Sequence, residues 1–250
     1  MIPKAVLRSF GADGTPRPLA GGQGTSWTAG DLVFKPEDST AHAWLGEVFA
    51  QVKQDGFRLA EPVRARDGAW AHDGWTATRL VAGSAPDYGS ARTWQEILTA
   101  GRAFHRAVAH LPRPGFMDER DDPWAVADRV AWGERTMRFH PLFAPVARRL
   151  REALEPLGEP QIVHGDLTGN VLFAPGLPPA VIDVSPYWRP PAYADGIVIA
   201  DALCWHGLRT TLDVPAAAIA RGLLFRMATG FGDIQDVRRY ERAADLILGG

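Results

Sequence analysis

The sequence predicts an α+β fold in two lobes: a small antiparallel β-sheet with one helix, then a larger, mostly helical lobe. Short apolar runs broken by glycine, proline and Asp-Gly turns occupy the chain up to about residue 80, and longer segments with helical apolar spacing follow. The third observation is size. With 250 residues, 46% of them hydrophobic, the chain can bury one large core or two small ones flanking a cleft. The texture changes at Val81-Ala82-Gly83-Ser84, which puts the predicted lobes at residues 1–82 and 83–250.

Taken in order, residues 3–10 are expected to form a short helix. Pro16 and Pro18 lead into Leu19–Trp27, read as strand, glycine loop and strand, with Gly21, Gly22, Gly24 and Thr25 in or beside the loop. Ala29-Gly30-Asp31 is a turn, and Leu32-Val33-Phe34-Lys35 is a strand stopped by Pro36. Ser39 or Thr40 caps a helix to about Gln54, since Trp44, Leu45, Val48, Phe49 and Val52 recur at helical spacing. Strands over 57–66 and 69–80 follow, joined by a hairpin turn at Asp67-Gly68. Helices are expected over 92–110, 123–138 and 143–155, a strand-rich stretch over 161–184, and helices from about 195 onward.

Several function classes are excluded early. Basic and acidic residues number 27 and 29, so there is no basic excess of the kind nucleic acid requires, and no nucleic-acid partner is expected. No apolar run approaches a membrane span, and the N-terminus lacks an apolar h-region. A single cysteine, Cys204, rules out an internal disulfide, and a cytoplasmic protein, monomeric by default, is expected. The Gly-x-Ser-x-Gly elbow and zinc-ligand spacings are absent.

The chemistry concentrates at 164–183. Gln161–Ala174 and Pro179–Asp183 carry two apolar runs around Pro175-Gly176-Leu177-Pro178, the pattern of a β-hairpin. If Ala174 faces Pro179, Asn170 faces Asp183, and Asp166 lies four residues earlier on the loop entering the same end. An amide oxygen and two carboxylates gathered there suit Mg²⁺ bound together with a nucleotide phosphate. Singly, Gly165-Asp166 and Gly169-Asn170 are ordinary turn chemistry. Their combination with His164 and an upstream glycine loop singles them out. In the first hairpin, a turn at 29–31 pairs Thr28 with Leu32 and Thr25 with Lys35, beside the glycine loop whose amides can approach phosphates. Lys35 is one of only three lysines, with Lys4 and Lys53, in a chain that otherwise uses arginine. The GxxxxGK[ST] P-loop is absent.

His164-Gly165-Asp166-Leu167, then Asn170, then Val181-Ile182-Asp183 resemble the aminoglycoside phosphotransferase family of kinase-like enzymes, over nearly the whole chain. Gly21–Trp27, His164–Phe173 and Val181–Pro191 are further similar to an actinobacterial branch of that family, a likeness that brings no substrate with it. The resemblance implies a bilobal protein-kinase-like fold, with a nucleotide-binding lobe over 1–82 and a catalytic and substrate-binding lobe over 83–250. It implies ATP-dependent transfer of the γ-phosphate to a small-molecule hydroxyl, with an antibiotic and an amino alcohol among the open acceptors. By the same resemblance Asp166 is the catalytic aspartate, Asn170 and Asp183 hold the metal, and His164 braces the loop. Lys35 holds the α- and β-phosphates and pairs with a helix glutamate, taken as Glu47. Arg79–Gly83, with Leu80 and Val81, contacts the purine of ATP or GTP.

The chain departs from the family pattern in two places. Three residues, not four, separate Asp166 from Asn170, and Gly169 is expected to absorb the tighter path. Val184-Ser185 follows Asp183 in place of Phe-Gly. The short loop supports a rival reading, a nucleotide-binding pseudokinase with a regulatory role. A protein kinase is a weaker rival, because no long activation segment separates Asp183 from Asp195. Trp188, Arg189 and Tyr193 either border the acceptor site or pack. Asp195 and Asp201 are expected to brace helices, and Asp118–Asp122 to form a solvated loop.

Overall fold

The computed structural model describes residues 1–19, 24–37, 40–230 and 234–249. The chain divides into two compact units, Met1–Ala85 with Gly169–Asp183, and Pro86–Thr168 with Val184–Gly250.

In the first unit, α1 (Lys4–Ser9) precedes β1 (Arg17–Pro18), β2 (Trp27–Ala29) and β3 (Leu32–Pro36); α2 (Thr40–Phe49) and β4 (Arg58–Leu59) follow, then β5 (Ala71–His72) and β6 (Trp75–Arg79). Strands 1, 2, 3, 5 and 6 form an antiparallel sheet in the order β1-β2-β3-β6-β5. Val6, inside α1, and Phe10, just after it, pack with Ala29, Leu32, Phe34, Ala65 and Ala77 into one core. The pleat of β3 buries Leu32 and Phe34 and turns Val33 and Lys35 to the other face, so Lys35 points away from that core. The hairpin β8 (Val171–Leu172) and β9 (Ala180–Val181) also belongs to this unit, because β9 pairs in parallel with β4 and antiparallel with β8.

Two expected registers are corrected by one residue each. The first hairpin turns on Gly30-Asp31 alone, with Gly30 at φ +60, so Thr28 pairs with Val33 and Ala29 with Leu32. A two-residue turn in place of the expected three moves every partner by one and removes the predicted Thr25–Lys35 pair. In the second hairpin Val171 pairs with Val181, so Asn170 lies opposite Ile182 rather than Asp183; the Ile182 amide donates to the Asn170 carbonyl at 3.0 Å. The expected strand over 69–80 is itself a hairpin. Asp67-Gly68 does turn the chain, with the Ala65 amide bonded to the Ala69 carbonyl at 2.8 Å. The two-residue turn joining β5 to β6, however, is Asp73-Gly74, both left-handed at φ +49 and +73.

The second unit contains α3 (Ala91–Val108), α4 (Pro123–Ala131), α5 (Ala144–Glu152), β7 (Gln161–His164), β10 (Pro186–Arg189), α6 (Pro191–Trp205), α7 (Ala216–Ala228) and α8 (Val237–Leu248). Ser90 caps α3 by accepting the Thr93 amide at 3.1 Å, and Asp122 caps α4 by accepting the Trp124 and Ala125 amides at 3.1 and 3.0 Å. The helix expected over 123–138 stops at Ala131 because Gly133 takes φ +72, a left-handed terminator. Strands β7 and β10 pair antiparallel, placing Pro186 opposite His164. At the centre lie α6 and α7, apolar almost all round. They cross in backbone contact: a Cβ on Gly196 would sit 2.1 Å from the Ala218 carbonyl oxygen, and one on Gly222 would sit 2.5 Å from the Gly196 carbonyl oxygen.

Candidate active site

Each unit carries its own part of the predicted site. In the first, the Lys35 ammonium donates to Asp183 Oδ1 at 2.5 Å, with both side chains partly exposed. Asp183 follows β9 in the left-handed region at φ +51, which turns the chain sharply as it leaves the strand. Asn170 stands at the mouth of the same hairpin, just before β8, and Gly169 ahead of it takes φ +85. The hairpin is anchored to the stretch after β6. Ser84 and Phe173 exchange backbone hydrogen bonds at 3.0 and 2.9 Å, and a Cβ on Gly83 would meet Leu172 Cβ at 2.9 Å.

Other expectations for this unit fare differently. Glu47 does not pair with Lys35. Its Oε1 accepts from Arg64 Nη2 at 2.5 Å and from Trp70 Nε1 at 3.0 Å, the indole hydrogen bond contributing most to keeping its carboxyl below the ordinary value. The cause is packing: the Trp70 ring lies so close over Gly46 that any Cβ there would clash, and this brings the indole to the flank of α2 that carries Glu47. An acid that sequence reasoning missed, Glu37, accepts from the Thr76 hydroxyl at 2.8 Å. Burial pushes its pKa up, but His42, Lys35 and Thr76 together outweigh burial and hold it below the usual value. Gly21 and Gly22 lie outside the described residues. Gly24 is left-handed at φ +69, with nothing within 4 Å of where a Cβ would stand. In the predicted purine stretch, the Leu80 amide donates to the Asp31 carbonyl at 2.8 Å and the Ala82 carbonyl accepts from Arg58 Nη2 at 2.8 Å.

In the second unit, Asp166 sits on the loop after β7. Leu167, buried beside it, anchors that loop against α3, where a Cβ on Gly101 would come 2.4 Å from Leu167 Cδ1. Gly165 lets the Tyr187 ring pack flat against the main chain, its own would-be Cβ lying 2.3 Å from that ring. His164 is fully buried, and its Nδ1 accepts the backbone amides of Asp166 at 3.1 Å and of Ser185 at 3.4 Å. The imidazole therefore joins the loop carrying Asp166 to the chain entering β10. The Asp166 carboxylate accepts from Arg226 Nη2 at 2.8 Å. Arg226, on α7, also escaped sequence reasoning; the only signal was that it is one of two arginines in an otherwise apolar helix.

A second histidine stands behind the first. His105 Nε2 accepts the backbone amide of His164 at 3.1 Å. Burial, then the neighbouring His164 and Arg102, push the His105 pKa down from about 6.5 to about 3. The native ring stays neutral where the unfolded one would take a proton. Stability from this group is therefore complete above about pH 6.5 and is lost as pH falls toward about 3, by up to about 1.4 kcal/mol per pH unit. His105→Gln retains an acceptor for the His164 amide and removes the titration. Urea midpoints between pH 7 and pH 4 are expected to fall less steeply in the variant than in the wild type, and parallel slopes would refute this account.

Asp195 and Asp201 both brace helices, Asp195 accepting from Arg102 at 2.7 Å and Asp201 from Arg226 at 2.6 and 2.7 Å. Tyr193 is buried against Trp132 and Phe225. Arg189 is held by Asp128 at 2.7 Å and by Glu134 at 2.6 Å. It lines, with Arg113, Arg120, Asp118 and Tyr187, a cavity of about 500 Å³ beside β10, where most of the charged groups are already paired with each other.

No protein-family model and no curated protein matches the chain. Solved structures do. The chain is similar to an aminoglycoside phosphotransferase from Alicyclobacillus acidocaldarius, with a TM-score of 0.61 and 16% identity over 100% of this chain and 94% of that one. It is similar to choline kinase LicA from Streptococcus pneumoniae, with a TM-score of 0.62 and 12% identity over 99% of each chain. It also matches a thermostable mutant of aminoglycoside phosphotransferase APH(4)-Ia in ternary complex with AMP-PNP and hygromycin B, with a TM-score of 0.61 and 15% identity over 99% of this chain and 98% of that one. The chain has the kinase-like α+β fold that these proteins share.

Proposed function

We propose that this chain, built on the kinase-like fold, transfers the γ-phosphate of ATP or GTP to a hydroxyl group of a small molecule. The observation that carries the reading is the Lys35–Asp183 pair. Residues 148 positions apart in sequence bring an ammonium and a carboxylate within 2.5 Å on one partly exposed surface. That combination serves a triphosphate and its metal, the ammonium for phosphate oxygens and the carboxylate for a hard cation.

The donor chemistry fits Mg²⁺. Asp183 and Asn170 offer a carboxylate and an amide oxygen, and among the described residues no group of three or more His, Cys, Asp or Glu side chains forms a closed metal cage. An ion held by one or two protein oxygens and otherwise by phosphate is the usual arrangement for Mg²⁺ with nucleotides. When bound, it would neutralise charge on the phosphate oxygens. The chain's own groups do the rest. Lys35 exchanges Asp183 for the α- and β-phosphates. Asp166, separated from Asn170 only by Leu167, Thr168 and Gly169 in the sequence, takes the proton from the attacking hydroxyl. His164 holds the main chain of Asp166, and Leu80 and Val81 meet the purine.

Lys35→Met is expected to raise the dissociation constant for MgATP roughly tenfold or more, the loss of one charge-assisted hydrogen bond. Calorimetric titration reads this directly, and unchanged affinity would void the role of Lys35. The acceptor class is read by incubating the protein with γ-labelled ATP and a metabolite extract and following label by mass spectrometry. Antibiotics and amino alcohols are the first classes to include. We place the protein in the cytoplasm as a monomer; among the described residues no helix is long and apolar enough to cross a membrane. A second reading, a nucleotide-binding module without transfer, draws on Glu47 being held by Arg64 and Trp70 instead of Lys35. MgATP binding with no labelled product from any acceptor would select it.

A further inference from the structure

We infer that Arg226 is a positioning residue for the transfer reaction: locked by Asp201, it fixes the side chain of Asp166. The inference rests on the reading of Asp166 as the proton acceptor. The helix α7 reads Ala-Ala-Ala-Ile-Ala-Arg-Gly-Leu-Leu-Phe-Arg-Met-Ala and is buried along most of its length. Arg226 is only 6% exposed. A buried guanidinium is tolerated only with its charge and its donors satisfied. Asp201, on the neighbouring helix α6 and itself buried, satisfies it from the side: Nε donates to Oδ1 at 2.7 Å and Nη2 to Oδ2 at 2.6 Å. This two-point grip fixes the plane of the guanidinium.

The same Nη2 makes a further bond, to Asp166 Oδ1 at 2.8 Å. The two acids differ sharply, for the Asp166 side chain is 43% exposed and the Asp201 side chain 6%. Asp201 alone neutralises Arg226 with a bidentate pair, so the bond to an outward-facing carboxylate adds nothing that the helix packing requires. It does supply what a proton acceptor requires, one carboxylate oxygen pinned so that the group keeps a single orientation. Main chain and side chain are thus held separately, the Asp166 amide by His164 Nδ1 and the carboxylate by Arg226. Burial tends to depress the pKa of the guanidinium, but Asp201 and Asp166 more than compensate and raise it, so the clamp stays cationic.

The test uses the full chain, with MgATP and water as the reacting pair and phosphate release as the readout. Arg226→Met is expected to lower kcat about 100-fold with the KM for MgATP within about twofold, because misplacing a reacting group by about 1 Å costs that much. Arg226→Lys, which retains charge but not the fork, is expected to fall between. Arg226→Met in an Asp166→Asn background is expected to be no slower than Asp166→Asn alone, since Arg226 acts through Asp166. A merely structural role would slow both backgrounds alike. Arg226→Met leaves Asp201 buried and unpaired, so Arg226→Met with Asp201→Leu is tested beside it, an apolar replacement of the whole pair that keeps the fold. It is expected to lose kcat to the same extent. A kcat within about threefold of wild type in that variant, with Asp166→Asn inactive, overturns the inference and leaves the reading of Asp166 standing. An active Asp166→Asn overturns that reading, and the inference with it. Should the water reaction be too slow to follow, the 166–226 cycle is read in unfolding midpoints, where coupling is expected and additive shifts overturn the contact.

Discussion

Asp166→Asn is expected to lower phosphoryl transfer by two to four orders of magnitude while MgATP affinity stays within about twofold. Asparagine has nearly the same shape and retains an oxygen for Arg226 Nη2, so the clamp from α7 and the amide bond to His164 both survive the change. On the proposed function, what disappears is the ability to take a proton from the attacking hydroxyl. Nucleotide affinity is assigned to Lys35 and Asp183, which belong to the other unit and do not depend on this carboxylate. Alanine would be a poorer test. It would also remove the oxygen that Arg226 Nη2 bonds at 2.8 Å, and so mix the loss of the clamp with the loss of the base. Product formation measured by label transfer, with binding measured by calorimetry, separates the two quantities. A transfer rate equal to wild type would take Asp166 out of the mechanism.

Gly196→Val is expected to destabilise the chain by about 3 kcal/mol or more, at the upper end of what overpacking costs. The added carbon would lie 2.1 Å from the Ala218 carbonyl oxygen and 2.3 Å from its carbon, backbone atoms that no rotamer change can move aside. Helices α6 and α7 would have to part. Gly222→Ala meets the Gly196 carbonyl from the other side, at 2.5 Å, and is expected to act in the same direction. The consequence extends to the site, because α6 carries Asp201 and α7 carries Arg226, and separating the helices pulls apart the clamp on Asp166. Urea unfolding reads the effect. A Gly196→Val protein as stable as wild type would mean that the two helices do not touch through their backbones.

Much of this arrangement was legible in advance. His164, Asp166, Asn170 and Asp183 announce themselves by local pattern, and Lys35 by the rarity of lysine. Alternating apolar runs around turn residues predict the two hairpins containing Lys35 and Asp183, yet both observed registers differ from the predicted ones by one residue. Local sequence leaves that choice open: Ala29-Gly30-Asp31 accommodates a turn of two residues or three, and only the left-handed conformation of Gly30 selects between them. Glu47 was legible as a helix acid, but its partner depended on where Trp70 packs, and nothing near Glu47 in the chain records that Gly46 makes room for an indole.

The chain's own order of residues determined the fold class, the β-rich start and helical continuation, and the types of side chain at the candidate site: an ammonium, carboxylates and an amide. Those follow from periodicity, turn chemistry and the identity of ionisable groups, which are properties of neighbours along the chain. Tertiary structure alone decided which charges meet. Lys35 found Asp183 rather than Glu47, and Asp166 found Arg226, 60 positions away. A charge takes whatever partner the packing of helices and strands delivers to it, and for the buried Arg226 that delivery depends on close contacts such as Gly196 against Ala218, which no local pattern encodes.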